Sequence, residues 1–395
     1  MPGAEVTHRR DRGALAAAYA TLFFSLGIYM PFFPLWLTAQ GMNPEEIGFA
    51  LAVPLITRLV ATPLLGLLSD RIGRPRAVLL GLAGLTCVLV SGLAVSRSAM
   101  MILVMLGVAA MAWNPSFALL DAYATRQART GRVDYGRSRL WGSASFVLAN
   151  LGGGALIAFT GAWVVVALML LGHLTYFLST FLLPELPRPP ARASLHIEVP
   201  RARFVLYGGI AAAALIQASH GTLYAFASLH WAQAGISLGV IGALWAVGVC
   251  AEILLFRYGT PLVRRFGPSR LLAFGGICAA IRFVGLSLDP PLEVLFLLQL
   301  LHGGTFGATY LGMVELVARN TPESRAGSAQ SIASWTVSLA LSAASAASGP
   351  LWAHFGATTF LVSAGLGAAG ALLAVGSGWR QPQRAGRAGK TTAPS

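Results

Sequence analysis

Glu252, Arg282 and His302 put an acid, a permanent cation and a titratable imidazole into successive apolar stretches of one half of a 395-residue chain. A charge in such a setting is costly unless it is paired or used. A carboxylate in an apolar site holds its proton more tightly, and a nearby arginine loosens that hold, so a salt bridge that changes partners can load and release a proton. Glu252 is therefore expected to carry the proton, with Arg282 as modulator and His302 as hydrogen-bond partner; a fixed ion-pair cluster is the structural alternative. Arg58 lies too deep in its apolar run to reach an interface by snorkelling and needs an anion, which Asp121, Glu315 or a bound carboxylate could supply. An aromatic acid would find apolar contacts at Trp113, Phe117, Trp141, Phe146 or Tyr224. Gln217, His220 and Tyr224 recur at spacings of three and four, as do Gln299, His302 and Phe306, so each set forms one helical stripe too polar for lipid. Interhelical hydrogen bonding away from any solute is the alternative for both stripes.

These residues need membrane-spanning helices to hold them. Apolar residues make up 56% of the chain and charged residues 11%, with a mean hydropathy of +0.69, too little polar surface for a water-soluble body of this size. Apolar runs long enough to span a hydrocarbon core fall at 14–36, 46–68, 77–95, 99–122, 139–159, 162–183, 204–230, 236–256, 271–288, 292–318, 327–349 and 356–378, giving about twelve crossings. Ile47-Gly48 with Arg71, Gly73 and Arg76 downstream reappears as Ile241-Gly242 with Arg265, Gly267 and Arg270. A repeat of half the chain is the internal symmetry of a transporter built from two bundles. It maps Arg58 onto Glu252 and Asp121 onto Glu315.

Most of the 28 basic residues fall on one side when the amino terminus is cytoplasmic, so both termini are expected in the cytoplasm. The net charge of +14 is then the positive-inside bias, and no nucleic-acid partner is implied, though anionic lipid could be touched. The first apolar run is too long for a signal peptide and is expected to remain as a helix. Pro184, Pro187, Pro189, Pro190 and Pro200 among arginines mark a solvated connector. The division expected is residues 1–183 as one six-helix bundle, 184–203 as a cytoplasmic linker, 204–378 as a second bundle and 379–395 as a cytoplasmic tail. Cys87, Cys250 and Cys278 have no metal-like spacing. With no Walker loop, nucleophile elbow or His-x-x-x-His either, neither an enzyme nor a cofactor is expected.

Gly66-Leu67-Leu68-Ser69-Asp70-Arg71-Ile72-Gly73-Arg74-Pro75-Arg76 resembles the signature loop of the major facilitator superfamily. There Gly73 would permit the tight turn while Asp70, Arg71 and Arg76 form a conformational latch. The second copy has Arg264 where Asp70 would be, so the acid belongs to the first half alone. Asp121 with Asp134-Tyr135-Gly136-Arg137-Ser138-Arg139-Leu140-Trp141-Gly142-Ser143 is similar to the lactose permease and phenylpropionate permease groups, the latter more closely. That second resemblance continues through Gln217, His220, Tyr224, Trp231, Leu244, Trp245, Glu252, Gln299, Leu301, His302, Thr305 and Phe306. Glu315 departs from the basic residue of that group.

The resemblance implies a twelve-helix, all-α membrane fold in two pseudo-symmetric bundles, with the first, fourth, seventh and tenth helices lining a central path. It implies that Glu252, Arg282 and His302 occupy a proton-coupling region, and that Glu315 shares this task or pairs with Arg319 or Arg325. It also pairs Arg139 with Asp121 in a hydroxyl-binding arrangement, which together with Arg58, Trp141, Gln217, His220, Tyr224 and Gln299 gives the expected substrate contacts. Phe146 stands where lactose permease has a sugar-stacking tryptophan. The expected activity is proton-coupled uptake of a small organic solute, an aromatic carboxylate first, across the bacterial inner membrane by alternating access. Sugar or nucleoside symport and proton-antiport efflux are the alternatives. The partners are the solute, protons and lipid; nothing in the pattern sets an oligomeric state.

Overall fold

A computed structural model describes residues 2–96, 98–129, 133–186, 203–322 and 326–378. Ten helical stretches there are long and apolar enough to cross a membrane. One of these, of 49 residues, contains two helices joined by a short 3-10 turn, Gly356–Thr359. The 17-residue helix Val164–Thr180 is shorter but apolar. Twelve crossings follow among the described residues. In chain order they are α1 (Pro2–Ala39), α2 (Pro44–Ile72), α3 (Pro75–Val95), α4 (Ala99–Arg129), α5 (Tyr135–Thr160) and α6 (Val164–Thr180). The second six are α7 (Arg203–Ala218 and Gly221–Gln233), α8 (Leu238–Arg257), α9 (Pro268–Leu286), α10 (Leu292–Asn320), α11 (Ala326–Phe355) and α12 (Phe360–Gly378). Most of the connector expected at 184–203, and all of the tail expected at 379–395, lie outside the described residues.

Local chemistry sets the ends of the helices. Asn43 caps α2 in a reciprocal box with Glu46, each side chain bonding the other's backbone N–H at 2.9 Å. Asp134 accepts from the Arg137 N–H at 2.9 Å to start α5, and Ser237 plays the same part for Val240 at the start of α8. Gly73 ends α2 in the left-handed region at φ 70°, which a side chain would resist. Pro54 interrupts the hydrogen-bond ladder inside α2, and its own carbonyl accepts from the Asn114 side-chain amide at 2.7 Å, tying α2 to α4. Large apolar side chains such as Phe159 and Leu372, 89% and 75% exposed, stand on the outer surface, as a body solvated by lipid requires.

The first six helices pack on one another through α1 against α5 and α6 and through α4 against α2 and α3; in the second six, α12 packs against α7 and α9. The two sets meet where α2 crosses α11 and α5 crosses α8. Both crossings are glycine contacts. A Cβ at Gly48 would lie 2.6 Å from the Gly349 nitrogen, and one at Gly349 would lie 2.7 Å from the Pro44 carbonyl oxygen. On the other side, Cβ atoms at Gly154 and Gly242 would collide with the Leu238 and Asn150 carbonyl oxygens, with the Phe32 ring of α1 against both glycines. Gly48 and Gly242 are the two copies of the sequence repeat, so the internal symmetry places a glycine at each crossing. All four glycines sit toward the end bearing the 40–43, 161–163, 234–237 and 356–359 connections, and there the two halves are sealed backbone to backbone.

Candidate functional site

The helices that hold the polar stripes are broken where the polar residues lie. In α7 the α-helix stops at Ala218 and resumes at Gly221, with Ser219 and His220 in the turn. In α10 a π-helical turn, Gly303–Ala308, follows His302, a local widening that often marks functional positions. Side chains are missing where neighbours come closest. A Cβ at Gly303 would lie 2.9 Å from the Ala251 carbonyl oxygen, one at Gly304 2.7 Å from Cys278 Sγ, and one at Gly221 2.8 Å from the Ser345 nitrogen.

The two breaks face each other, with the His220 and His302 rings 5.5 Å apart. His220 Nε2 is 2.9 Å from Thr305 Oγ1, and its Nδ1 is 3.2 Å from the Gln217 carbonyl oxygen. Arg282, 1% exposed, reaches from α9 to the same turn. Its Nη1 is 3.1 Å from His302 Nδ1 and donates to Thr305 Oγ1 at 3.4 Å, while Nη2 donates to Gln299 Oε1 at 2.5 Å. With Nδ1 accepting from a guanidinium, the remaining imidazole proton sits on Nε2, which is 3.7 Å from Glu252 Oε2. The expected acid, imidazole and cation thus form one chain, Glu252 to His302 to Arg282.

Across the molecule, Asp121 accepts from Tyr19 OH at 2.6 Å and from Tyr135 OH at 3.2 Å, and Arg139 Nε lies 3.8 Å away. The Arg139 guanidinium also covers the Phe23 ring at 4.0 Å, a cation–π contact. Between this cluster and the histidine turn is a cavity of about 370 Å³, within the ordinary range for small-molecule sites. Its walls include Asp121, Arg139, Glu252, Arg282, Gln299 and His302, with the rings of Phe23, Phe146, Tyr224, Trp245, Phe306 and Tyr310 between them. Tyr135, Phe256 and Tyr310 lie toward the end opposite the glycine seal, and the Asp121 and Arg139 side chains are 42% and 32% exposed. Solvent reaches the cavity from that end.

The remaining expected residues lie elsewhere. Gln217 and His220 are buried behind the wall. Trp141 is 60% exposed, since two residues along α5 from Arg139 is more than half a helical turn away from the cavity face. Arg58 is exposed on α2 and takes no hydrogen-bond or ion-pair partner among the described residues. Glu315 pairs with Arg319 at 2.6 Å, one turn along the same helix; Arg325 lies outside the described residues. Of the latch, Asp70 and Arg71 are exposed, and Asp70 takes no partner among the described residues. Arg76 bonds the Thr180 and Phe181 carbonyl oxygens at 3.4 and 2.8 Å and Glu185 at 3.2 Å, tying α3 to the carbonyl end of α6. The three cysteines are free thiols, and no His, Cys, Asp or Glu cluster suited to a metal occurs among the described residues. Tyr19 and Tyr310 were not picked out in the sequence, and Tyr135 entered only as part of the 134–143 segment. For Tyr19 the signal was present, because Tyr19, Phe23, Leu26 and Met30 recur at four, three and four residues and keep a polar tip on an aromatic stripe.

A charged, aromatic cavity between two helical halves, reached by water from one end and sealed at the other, defines a membrane carrier. The model of the MFS_1 like family matches residues 13–362, and the chain belongs to that family of major facilitator transporters. A probable 3-phenylpropionic acid transporter of Escherichia coli (strain K12) is 32% identical over 314 residues, covering 77% of this chain and 81% of that protein. A maltose permease of Geobacillus stearothermophilus is 25% identical over 318 residues, covering 77% and 78%. Among solved structures, nucleoside transporter NupG superposes with a TM-score of 0.79 at 15% identity, over 94% of this chain and 99% of that one. The fold is therefore the two-bundle major facilitator fold, and the chain is a multi-pass membrane transporter rather than an enzyme.

Proposed function

We propose that this transporter takes up a small aromatic carboxylate together with protons by alternating access, in the bacterial inner membrane with both termini cytoplasmic. The six-helix halves are residues 1–183 and 204–378, joined by a cytoplasmic linker over 184–203 and followed by a cytoplasmic tail over 379–395. With that orientation, the glycine seal closes the outer end and the cavity faces the cytoplasm. The observation that carries the reading is the cavity itself, in which Glu252 and His302 meet a ring-lined space. Glu252 is the proton carrier, facing both the solute space and the imidazole that links it to Arg282. Tyr224, Trp245, Phe306 and Tyr310 give flat apolar surface for an aryl group. The relative named for 3-phenylpropionic acid supports this solute class. Asp70, Arg71, Gly73 and Arg76 are the latch at the cytoplasmic end.

The Asp121, Tyr19, Tyr135 and Arg139 cluster favours a second reading, sugar or nucleoside symport, because such a group suits hydroxyl recognition. Counterflow into proteoliposomes loaded in turn with aryl carboxylates, disaccharides and nucleosides decides between them, since exchange needs binding and alternation but no driving force. Aryl carboxylates are expected to exchange; exchange confined to sugars or nucleosides would refute the first reading.

A further inference from the structure

We propose that Arg282 anchors the carboxylate of the solute, and that charge balance in the cavity admits a monocarboxylate only with one proton, making transport electroneutral. This rests on the reading of the central cavity as the transport site. Three arginines could serve an anion. Arg139 already has Asp121 beside it and an aromatic ring beneath it. Arg58 is exposed on α2, and its side chain is not part of the cavity wall. Arg282 is buried, borders the cavity and touches only neutral groups: an amide oxygen, a hydroxyl and the accepting nitrogen of an imidazole. Its Nε has no hydrogen-bond partner, and no carboxylate lies within ion-pair distance of it among the described residues. Buried guanidinium groups are ordinarily matched by an acid, and a planar two-pronged donor suits a carboxylate best.

The coupling follows from counting charges. The wall carries Asp121 and Glu252 against Arg139 and Arg282, which cancel when Glu252 is ionised. A bound monocarboxylate would leave one uncompensated negative charge in a space of low dielectric constant. Protonating Glu252 removes it. The other groups facing Glu252 are Arg139 from α5, Tyr224 from α7, and His302 and Tyr310 from α10; of these only Arg139 carries a charge, and Asp121 already balances it. The proton enters from water at the open end, sits on the Glu252 carboxylate while the solute is bound, and leaves with it. The solute anion and the Glu252 anion thus exclude one another across His302.

The probes are a series of aryl carboxylates, from benzoate to 4-phenylbutanoate, and their matched amides, with protein in proteoliposomes. Wild type should bind an acid at least tenfold more tightly than its amide. Arg282→Gln should lose at least tenfold in acid binding with the amide changed less than twofold, Arg282→Lys should fall between, and Arg58→Gln should keep the wild-type preference. Equal losses for acid and amide in Arg282→Gln, or loss of the preference in Arg58→Gln, would overturn the anchor. The second measurement needs no variant. On a supported membrane, wild-type transport of a monocarboxylate should alkalinise the donor side by one proton per solute without a transport current, and a transport current, transient as it is there, would overturn the charge balance. Wild-type counterflow of sugars or nucleosides without exchange of any aryl carboxylate would refute the aryl carboxylate reading itself, which the variant and current results leave standing.

Discussion

Enlarging one glycine at the seal should turn the transporter inside out. At Gly242, where α8 crosses α5, an added Cβ meets the Asn150 carbonyl oxygen far inside contact distance, and at Gly48 it meets the Gly349 nitrogen at 2.6 Å. Carbon contacts settle at about 3.5–4.0 Å, so the helices must part by roughly 1 Å or more. Neither partner can yield by rotating a side chain, because both are backbone. Overpacking of this kind costs ~1–3 kcal/mol, and the whole cost falls on the sealed state, since the crossing is undone when that end opens. Gly242→Val is therefore expected to shift the equilibrium about 5–150-fold toward the state open at the 40–43 end. Gln40 and Thr358, exposed on opposite halves at that end, can be changed to cysteine and spin-labelled. Double electron–electron resonance should show a longer distance gaining population. Gly81→Val is the control, because nothing lies within 4 Å of a Cβ there. An unchanged distance distribution in folded, monodisperse Gly242→Val protein would refute the view that these crossings hold the seal.

Asn150→Leu should act in the opposite direction. The Asn150 side chain is wholly buried at the same crossing with neither amide atom partnered, so removing it relieves ~1–3 kcal/mol of desolvation in the sealed state, and the same labels should report a population shift toward the short distance; a shift to longer distances would contradict this. Glu252→Gln should abolish accumulation of aryl carboxylate driven by a proton gradient while counterflow persists, and wild-type accumulation would remove Glu252 from the coupling. Tyr19→Phe deletes the 2.6 Å bond to Asp121 and should lower thermal stability by about 1.5–3 kcal/mol, the ordinary worth of a hydrogen bond to a charged group; unaltered unfolding in detergent would show the bond to be dispensable.

Much of the fold could be read from hydropathy alone, because a helix in lipid must be continuously apolar and its length is fixed by the bilayer. The glycine repeat was visible too, and its physical meaning came only with the crossings. The acid, imidazole and cation of the second half were legible because charged groups are rare in such helices. Partner choice was not. Arg58 and Arg282 look alike in sequence, each a lone cation in an apolar run, and only the packing shows that one faces the cavity and the other stands apart from it. The π turn was hidden as well, since Gly303-Gly304 in an apolar helix reads equally as close packing. Trp141 misled for a simpler reason: the neighbour of a site residue on a helix usually points away from the site.

The widened turn in α10 has a kinetic consequence. Along and just beyond it, the His302, Phe306 and Tyr310 rings stack in sequence at 5.6 and 6.5 Å, the last two within 3° of parallel. These rings run from the Glu252 level toward the open mouth. A solute with an aryl group, as proposed above, would leave the site by exchanging one ring edge for the next, each contact worth about 0.5–1.5 kcal/mol, without surrendering all of its aromatic contact at once. For such a solute the free-energy profile to the exit would be a staircase of low risers rather than one tall step.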